Sequence, residues 1–135
     1  MALPRIKQAL EKHLAALAPA LSTAVENISF TPVPGTPYQD VQIVPRAPDN
    51  QTLGDGYYRE AGELQVFLCY PSGAGSAAAM ARAVLTRDHF KRGTTLTQGG
   101  IEVIIMTTPK ITSGSVFNDR YVIGVFMEYS CGVLK

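Results

Sequence analysis

The chain has 135 residues, 46% hydrophobic and 17% charged, with 12 basic against 11 acidic side chains and a formal net charge of +1. Its length suits one domain, its hydrophobic content excludes a disordered chain, and its charge balance gives no support to a sequence-independent grip on DNA. No apolar run approaches the ~20 residues of a membrane-spanning helix, residues 1–10 lack the apolar stretch of a signal peptide, and Cys69 and Cys131 lie within apolar patterns rather than metal-ligand spacings, so both are expected buried and reduced.

Residues 4–18 form the first predicted helix. Ile6, Leu10, His13, Leu14 and Leu17 share one face, with Ala9 in the same stripe and Arg5, Lys7, Gln8, Glu11 and Lys12 opposite. Pro4 suits the first turn and Pro19 marks the end. Residues 21–30 bridge to a first strand, with strand composition at 27–30. The run 31–37 holds three prolines and a glycine, which makes it a stiff connection. Residues 38–45 alternate, with Gln39, Val41 and Ile43 facing away from Tyr38, Asp40, Gln42 and Val44.

Residues 46–56 read as a long polar loop. Residues 57–70 form a long strand with Leu64, Val66, Leu68 and Tyr70 on one side and Phe67 and Cys69 on the other, a pattern of coverage on both faces. After a turn at 71–75, Ser76 is placed to cap a second helix, 76–90. Met80, Ala81, Val84 and Leu85 are expected inward, and Lys91, Arg92 and Gly93 to close the helix. Residues 94–97 and 101–107 flank a short hairpin connection at 98–100. A second long loop covers 108–119. The final strand, 120–130, places Tyr121, Ile123, Val125, Met127 and Tyr129 on one face and Val122, Gly124 and Phe126 on the other. The fold class is α+β, two helices packed on a mostly antiparallel, twisted β-sheet, in a single domain over 1–135.

Residues for catalysis are scarce. His13 lies on an apolar helical stripe and His89 at a helix end, where packing and the helix dipole account for each. Cys69 sits mid-strand, a place for packing rather than for an activated thiolate. No nucleophile elbow occurs. The glycines at 73–75 and 53–56 lack the Lys-Ser/Thr of a phosphate-binding loop. The carboxylates Asp40, Asp55, Glu60, Glu63, Glu102, Asp119 and Glu128 are scattered. No catalytic, metal-binding or cofactor-binding residue is therefore assigned, and no cofactor is expected. The rival reading is a small enzyme or ligand-binding domain with a pocket between 46–60 and 73–76.

Two helices cover one face of such a sheet, and the apolar residues of the other face need a partner, which self-association supplies. Tyr57, Tyr58 and Arg59 begin the first long strand, and Phe117 and Arg120 flank the start of the last. Adjacent tyrosines on a strand point to opposite faces. Tyrosine and arginine also suit contact hot spots, so these five are the candidate subunit-interface residues.

The runs 31–39 (TPVPGTPYQ), 48–60 (PDNQTLGDGYYRE), 68–71 (LCYP) and 90–96 (FKRGTTL) together resemble a small tail protein family of long-tailed phages and prophages, similar to tail terminator proteins. The resemblance covers about residues 4–130. It implies a structural virion protein made in the bacterial cytoplasm: a ring, usually a hexamer, that caps the tail tube, stops its polymerisation and offers a surface to the neck. The partners implied are further copies of the chain, the tail tube protein and a neck or head-completion protein. DNA would pass through without specific binding, and no membrane is involved. Another neck or head-closure ring protein is the nearest alternative.

Overall fold

The computed structural model describes residues 2–18, 21–25, 30–50, 54, 56–73, 75–117 and 119–134. In order, the elements are α1 (Ala2–Ala15), β1 (Ser22–Val25), β2 (Tyr38–Pro45), β3 (Tyr57–Pro71), α2 (Ala77–His89), β4 (Thr95–Gln98), β5 (Ile101–Ile105), β6 (Lys110–Ile111), β7 (Ser115–Phe117) and β8 (Arg120–Leu134). The strands share one sheet in the order β1-β2-β3-β8-β5-β4, with β6 and β7 also paired to β8. Among the described residues only β1 and β2 pair parallel; the other strand pairs are antiparallel. This is the α+β arrangement that the alternating patterns predict.

β3 and β8 run together from Tyr57↔Leu134 to Pro71↔Arg120. Because side chains alternate between the faces of a strand, this register stacks Leu64 with Met127, Val66 with Val125 and Leu68 with Ile123, all of them buried. Ile6, Ala9, Leu10 and Leu14 of α1, Ala79 and Ala83 of α2, and Phe90 join the same core cluster. Both helices therefore cover one face. The opposite face carries Phe67, Cys69, Val122 and Phe126, with the Phe67 and Phe126 rings edge-to-face at 5.4 Å.

Several local expectations are corrected. The first described strand is at 22–25; of the strand composition at 27–30, residues 27–29 lie outside the described residues, and Phe30 is in no strand. The parallel register Thr23↔Gln39 explains its place. It lets the buried Gln39 amide donate to Thr23 Oγ1 at 3.0 Å. α1 ends at Ala15, although Leu17 is still buried; the Pro19 stop signal lies outside the described residues, as do residues 51–53 and 55 of the 46–56 loop.

The loop expected at 108–119 instead contains β6 and β7, both paired to β8. β5 covers only 129–131 of that edge of β8. The rest of a long strand would otherwise leave N–H and C=O groups unpaired. Threonines fill two gaps: Thr112 Oγ1 accepts the Gly124 N–H at 2.9 Å and Thr107 Oγ1 the Glu128 N–H at 3.1 Å.

α2 is rotated relative to the expected face. Ala79, Arg82, Ala83 and Thr86 are buried, while Met80, Val84 and Leu85 are 42%, 44% and 43% exposed. The small alanines let the helix approach the sheet closely, and Thr86 turns its hydroxyl back to the Arg82 carbonyl at 2.9 Å. Ser76 occupies the N-cap position without a side-chain cap bond, and the helix ends on Phe90 rather than on Gly93. Gly93 has φ +90° in the following turn, where its N–H meets the Ile105 carbonyl at 2.8 Å.

The C-terminal turns of the two helices are clasped together. His13 Nε2 lies 2.7 Å from the His89 carbonyl and His89 Nε2 lies 2.6 Å from the His13 carbonyl. A carbonyl only accepts, so each Nε2 carries the proton. The rings stack at 3.8 Å with 8° between their planes, and Phe90 meets both edge-on at 4.7 and 5.5 Å. Carbonyls in a last helical turn run short of intrahelical donors, and here each helix draws a donor from the other.

Gly62 explains how Tyr129 enters the core. A Cβ at Gly62 would fall 2.4 Å from Tyr129 Oη and 2.6 Å from the Val44 carbonyl oxygen. The tyrosine ring is buried and the carbonyl is backbone in a paired strand, so neither yields cheaply. Gly62→Ala is expected to cost about 1–3 kcal/mol by overpacking. Gly56→Ala, with open space around it, is the near-neutral control. Urea unfolding of the two variants checks this, and equal midpoints would contradict the close ring-on-glycine packing.

Candidate subunit interface

β7 and β8 meet in a tight turn, with Asp119 in the left-handed region at φ +60°, a conformation that short-side-chain Asp tolerates. The turn sets Phe117 opposite Arg120 at one end of the face without helices. Phe117 is 68% exposed. Arg120 is committed within the chain: Nη1 donates to the Thr36 carbonyl at 2.5 Å and Nη2 to the Val33 carbonyl at 2.8 Å. Its guanidinium also lies 5.0 Å from the centre of the Tyr38 ring. The stiff proline-rich segment is thereby fastened beside β2.

Beside this corner lies a cleft of about 390 Å³, walled by Tyr38, Phe67, Phe117 and Val122 and holding Asp40 and Cys69. Burial pushes the Asp40 carboxyl above its usual range, partly offset by a hydrogen bond from the Val41 backbone. Burial also raises the Tyr38 phenol and the Cys69 thiol, and their mutual hydrogen bond raises the phenol further. A raised thiol is a packing group rather than a nucleophile. Both cysteines are buried and free. Among the described residues no group of three or more His, Cys, Asp and Glu is placed to hold a metal ion.

Tyr57, Tyr58 and Arg59 stand at the other end of the long strands. Tyr57 and Tyr58 are half-buried on opposite faces of β3. Arg59 donates from Nε to Ser130 Oγ and from Nη1 to Tyr57 Oη, both at 3.0 Å, and its backbone forms a two-bond bridge with Asp49. On the same face, Glu63 and Glu128 are direct cross-strand partners. Like charges so placed repel, and Arg46 answers both, at 3.6 Å from Glu63 Oε2 and in contact with Glu128 Oε1.

The structure therefore divides the five candidate residues into two groups, one at each end of β3 and β8. At ~3.4 Å per residue the ends are about 45 Å apart, so the groups belong to separate patches. Sequence reasoning missed the exposed Met80, Val84 and Leu85 stripe. Its signal was present in the spacing of Ala79, Arg82, Ala83 and Thr86, a competing helical face of smaller side chains.

A family model described as phage tail terminator protein matches residues 5–129. No curated protein matches the chain in sequence. Nine chains of solved structures match. One of them, carrying no functional description, superposes with a TM-score of 0.77 at 26% identity over 97% of this chain and 96% of its own.

Proposed function

The chain belongs to the phage tail terminator family, and from that premise we propose that it assembles into a ring, hexameric on the tail, that caps the tail tube and stops its polymerisation. The same ring would offer its free end to a neck or head-completion protein. The observation that carries the reading is the family match across residues 5–129, nearly the whole domain. Membership of a structural family of phage tails supports a site of action in the virion tail and a role without catalysis. No helix among the described residues is long and apolar enough to cross a membrane. A balanced charge of +1 suits a channel through which DNA slides without being held, because counterion release rewards only strongly basic surfaces.

Two architectural facts support a ring subunit. Among the described residues helices cover one sheet face only, and the other presents Phe117 and a cleft with aromatic walls. The candidate residues also fall at both ends of the long strands, where a ring subunit would have separate contact regions. A head-to-tail contact closes into a ring when its rotation closes.

The experiment adds purified protein to polymerising tail tube protein and measures tube length by electron microscopy. The wild type is expected to stop growth. Arg59→Glu and Arg120→Glu place repulsive charge at the proposed contacts and are expected to leave overlong tubes while circular dichroism stays native. Since Arg120 also holds residues 33 and 36, Phe117→Glu serves beside it as a variant that spares those bonds. Tubes of normal length with all three variants would place the interface elsewhere. Tubes unaffected by the wild type would end the capping reading.

A further inference from the structure

We propose that the outward stripe of α2 docks into the Tyr38–Phe117 cleft of a second copy of this chain, so that subunits join helix layer to bare sheet, head to tail. The inference rests on the reading of the chain as a ring subunit and names the surfaces that the ring would use. Met80, Val84 and Leu85 stand on the solvent side of α2 at 42–44% exposure, with the exposed Ala77 and Ala81 between them. Large apolar side chains spaced by alanines form a ridge that a partner can approach closely. Such a contiguous exposed stripe marks an interaction site more often than isolated apolar residues do.

The occupant follows from symmetry. The stripe and the cleft lie on opposite sides of the molecule, since α2 packs on the sheet face that the cleft does not share. They cannot cover one another within one chain. A two-fold dimer through the stripe leaves both clefts open, and one through the cleft leaves both stripes open. A heterologous contact, stripe to cleft, covers both with a single interface, and it repeats from copy to copy. A standard interface takes about 800 Å² from each partner, about a tenth of this chain's 7704 Å².

Charge is complementary as well. α2 has no acidic residue in its first turn and no side-chain cap at Ser76, so its start is a bare positive dipole end. The cleft holds the Asp40 carboxylate, while Arg120, which also lines it, is turned to the Thr36 and Val33 carbonyls. In the docked pair this carboxylate faces the start of the partner's helix while the aromatic walls receive Met80 and Val84.

Thiol trapping tests the contact directly. A short bis-maleimide is added to chains carrying Val84→Cys and Phe117→Cys together, both at exposed positions, on a Cys69→Ser background that removes the thiol the cleft itself holds, with circular dichroism as the folding control; every variant and mixture below is made on that background. The expected result is a ladder of dimer, trimer and higher species. A mixture of Val84→Cys chains with Phe117→Cys chains should give dimers only, and neither alone should dimerise. A ladder no stronger than that of Gln8→Cys with Glu102→Cys, two exposed positions outside both patches, would overturn the proposal, as would efficient dimers of Val84→Cys alone. Tube capping is scored separately in the same preparations. Capping without the ladder removes this contact but keeps the terminator reading, and the ladder without capping does the reverse.

Discussion

Truncating Phe90 to alanine is expected to cost about 3–5 kcal/mol, the range for deleting a large buried aromatic. Phe90 is fully buried, belongs to the core cluster and closes α2 through its N–H to the Thr86 carbonyl at 3.0 Å. Its ring also seats both histidines of the helix clasp edge-on. Its loss leaves a cavity where two helix ends meet the sheet, and domains of this size have only ~5–15 kcal/mol in total. Urea unfolding measures the cost as a lower midpoint with an unchanged slope. A loss below about 1 kcal/mol, the scale of an ordinary point substitution, would show that the helix ends are not seated on this ring.

Acid is expected to loosen the same clasp. Burial lowers the His13 pKa below its ordinary 6.5, against the raising effect of the hydrogen bond to His89, and the neighbouring imidazole adds to the lowering. Folded His13 then stays neutral where unfolded His13 already binds a proton. Stability rises with pH wherever the unfolded state binds more protons. The contribution is therefore complete above about pH 6.5 and is lost as pH falls below it. Asp40 works in the opposite sense, because its raised carboxyl pKa binds protons first in the folded state. Its effect belongs to the acid side, above the ordinary 3.8. A melting temperature that is flat from pH 8 to 7 and declines toward pH 5.5 is the expected result. His13→Gln keeps a donor near the Nε2 position without titrating, so it should flatten the decline. Equal slopes in variant and wild type would exclude His13 as the origin. The alanine cycle on His13 and His89 is expected to show a coupling of about 0.5–3 kcal/mol, as touching groups do.

The strands were legible where large apolar residues alternate over many positions. Leu64, Val66 and Leu68, and Ile123, Val125 and Met127, leave no choice of face, because a one-residue slip would expose all of them. β6 and β7 were not legible, since two and three residues carry no period. Their existence follows from a long strand whose edge must be paired, which appears only once β8 is seen to have 15 residues. α2 misled because hydrophobicity and volume point to different faces. Met80, Val84 and Leu85 are the more apolar choice, but Ala79 and Ala83 are small enough for close approach to the sheet. The histidine clasp joins residues 76 positions apart and leaves no local pattern. Arg120 was legible as a candidate contact, but its carbonyl partners at Val33 and Thr36 were not, because main-chain acceptors look the same at every position.

The three-part covering of β8 has a consequence for solubility. A long naked strand edge is a template for amyloid-like addition of other chains. Here the sheet ends instead on β1 and β4, four residues each. Strands that short hold an incoming strand by few ladder bonds. Main-chain addition at either end is thus a poor route to polymer, even at high protein concentration. Association between copies is then restricted to contacts between side-chain surfaces, whose geometry is fixed.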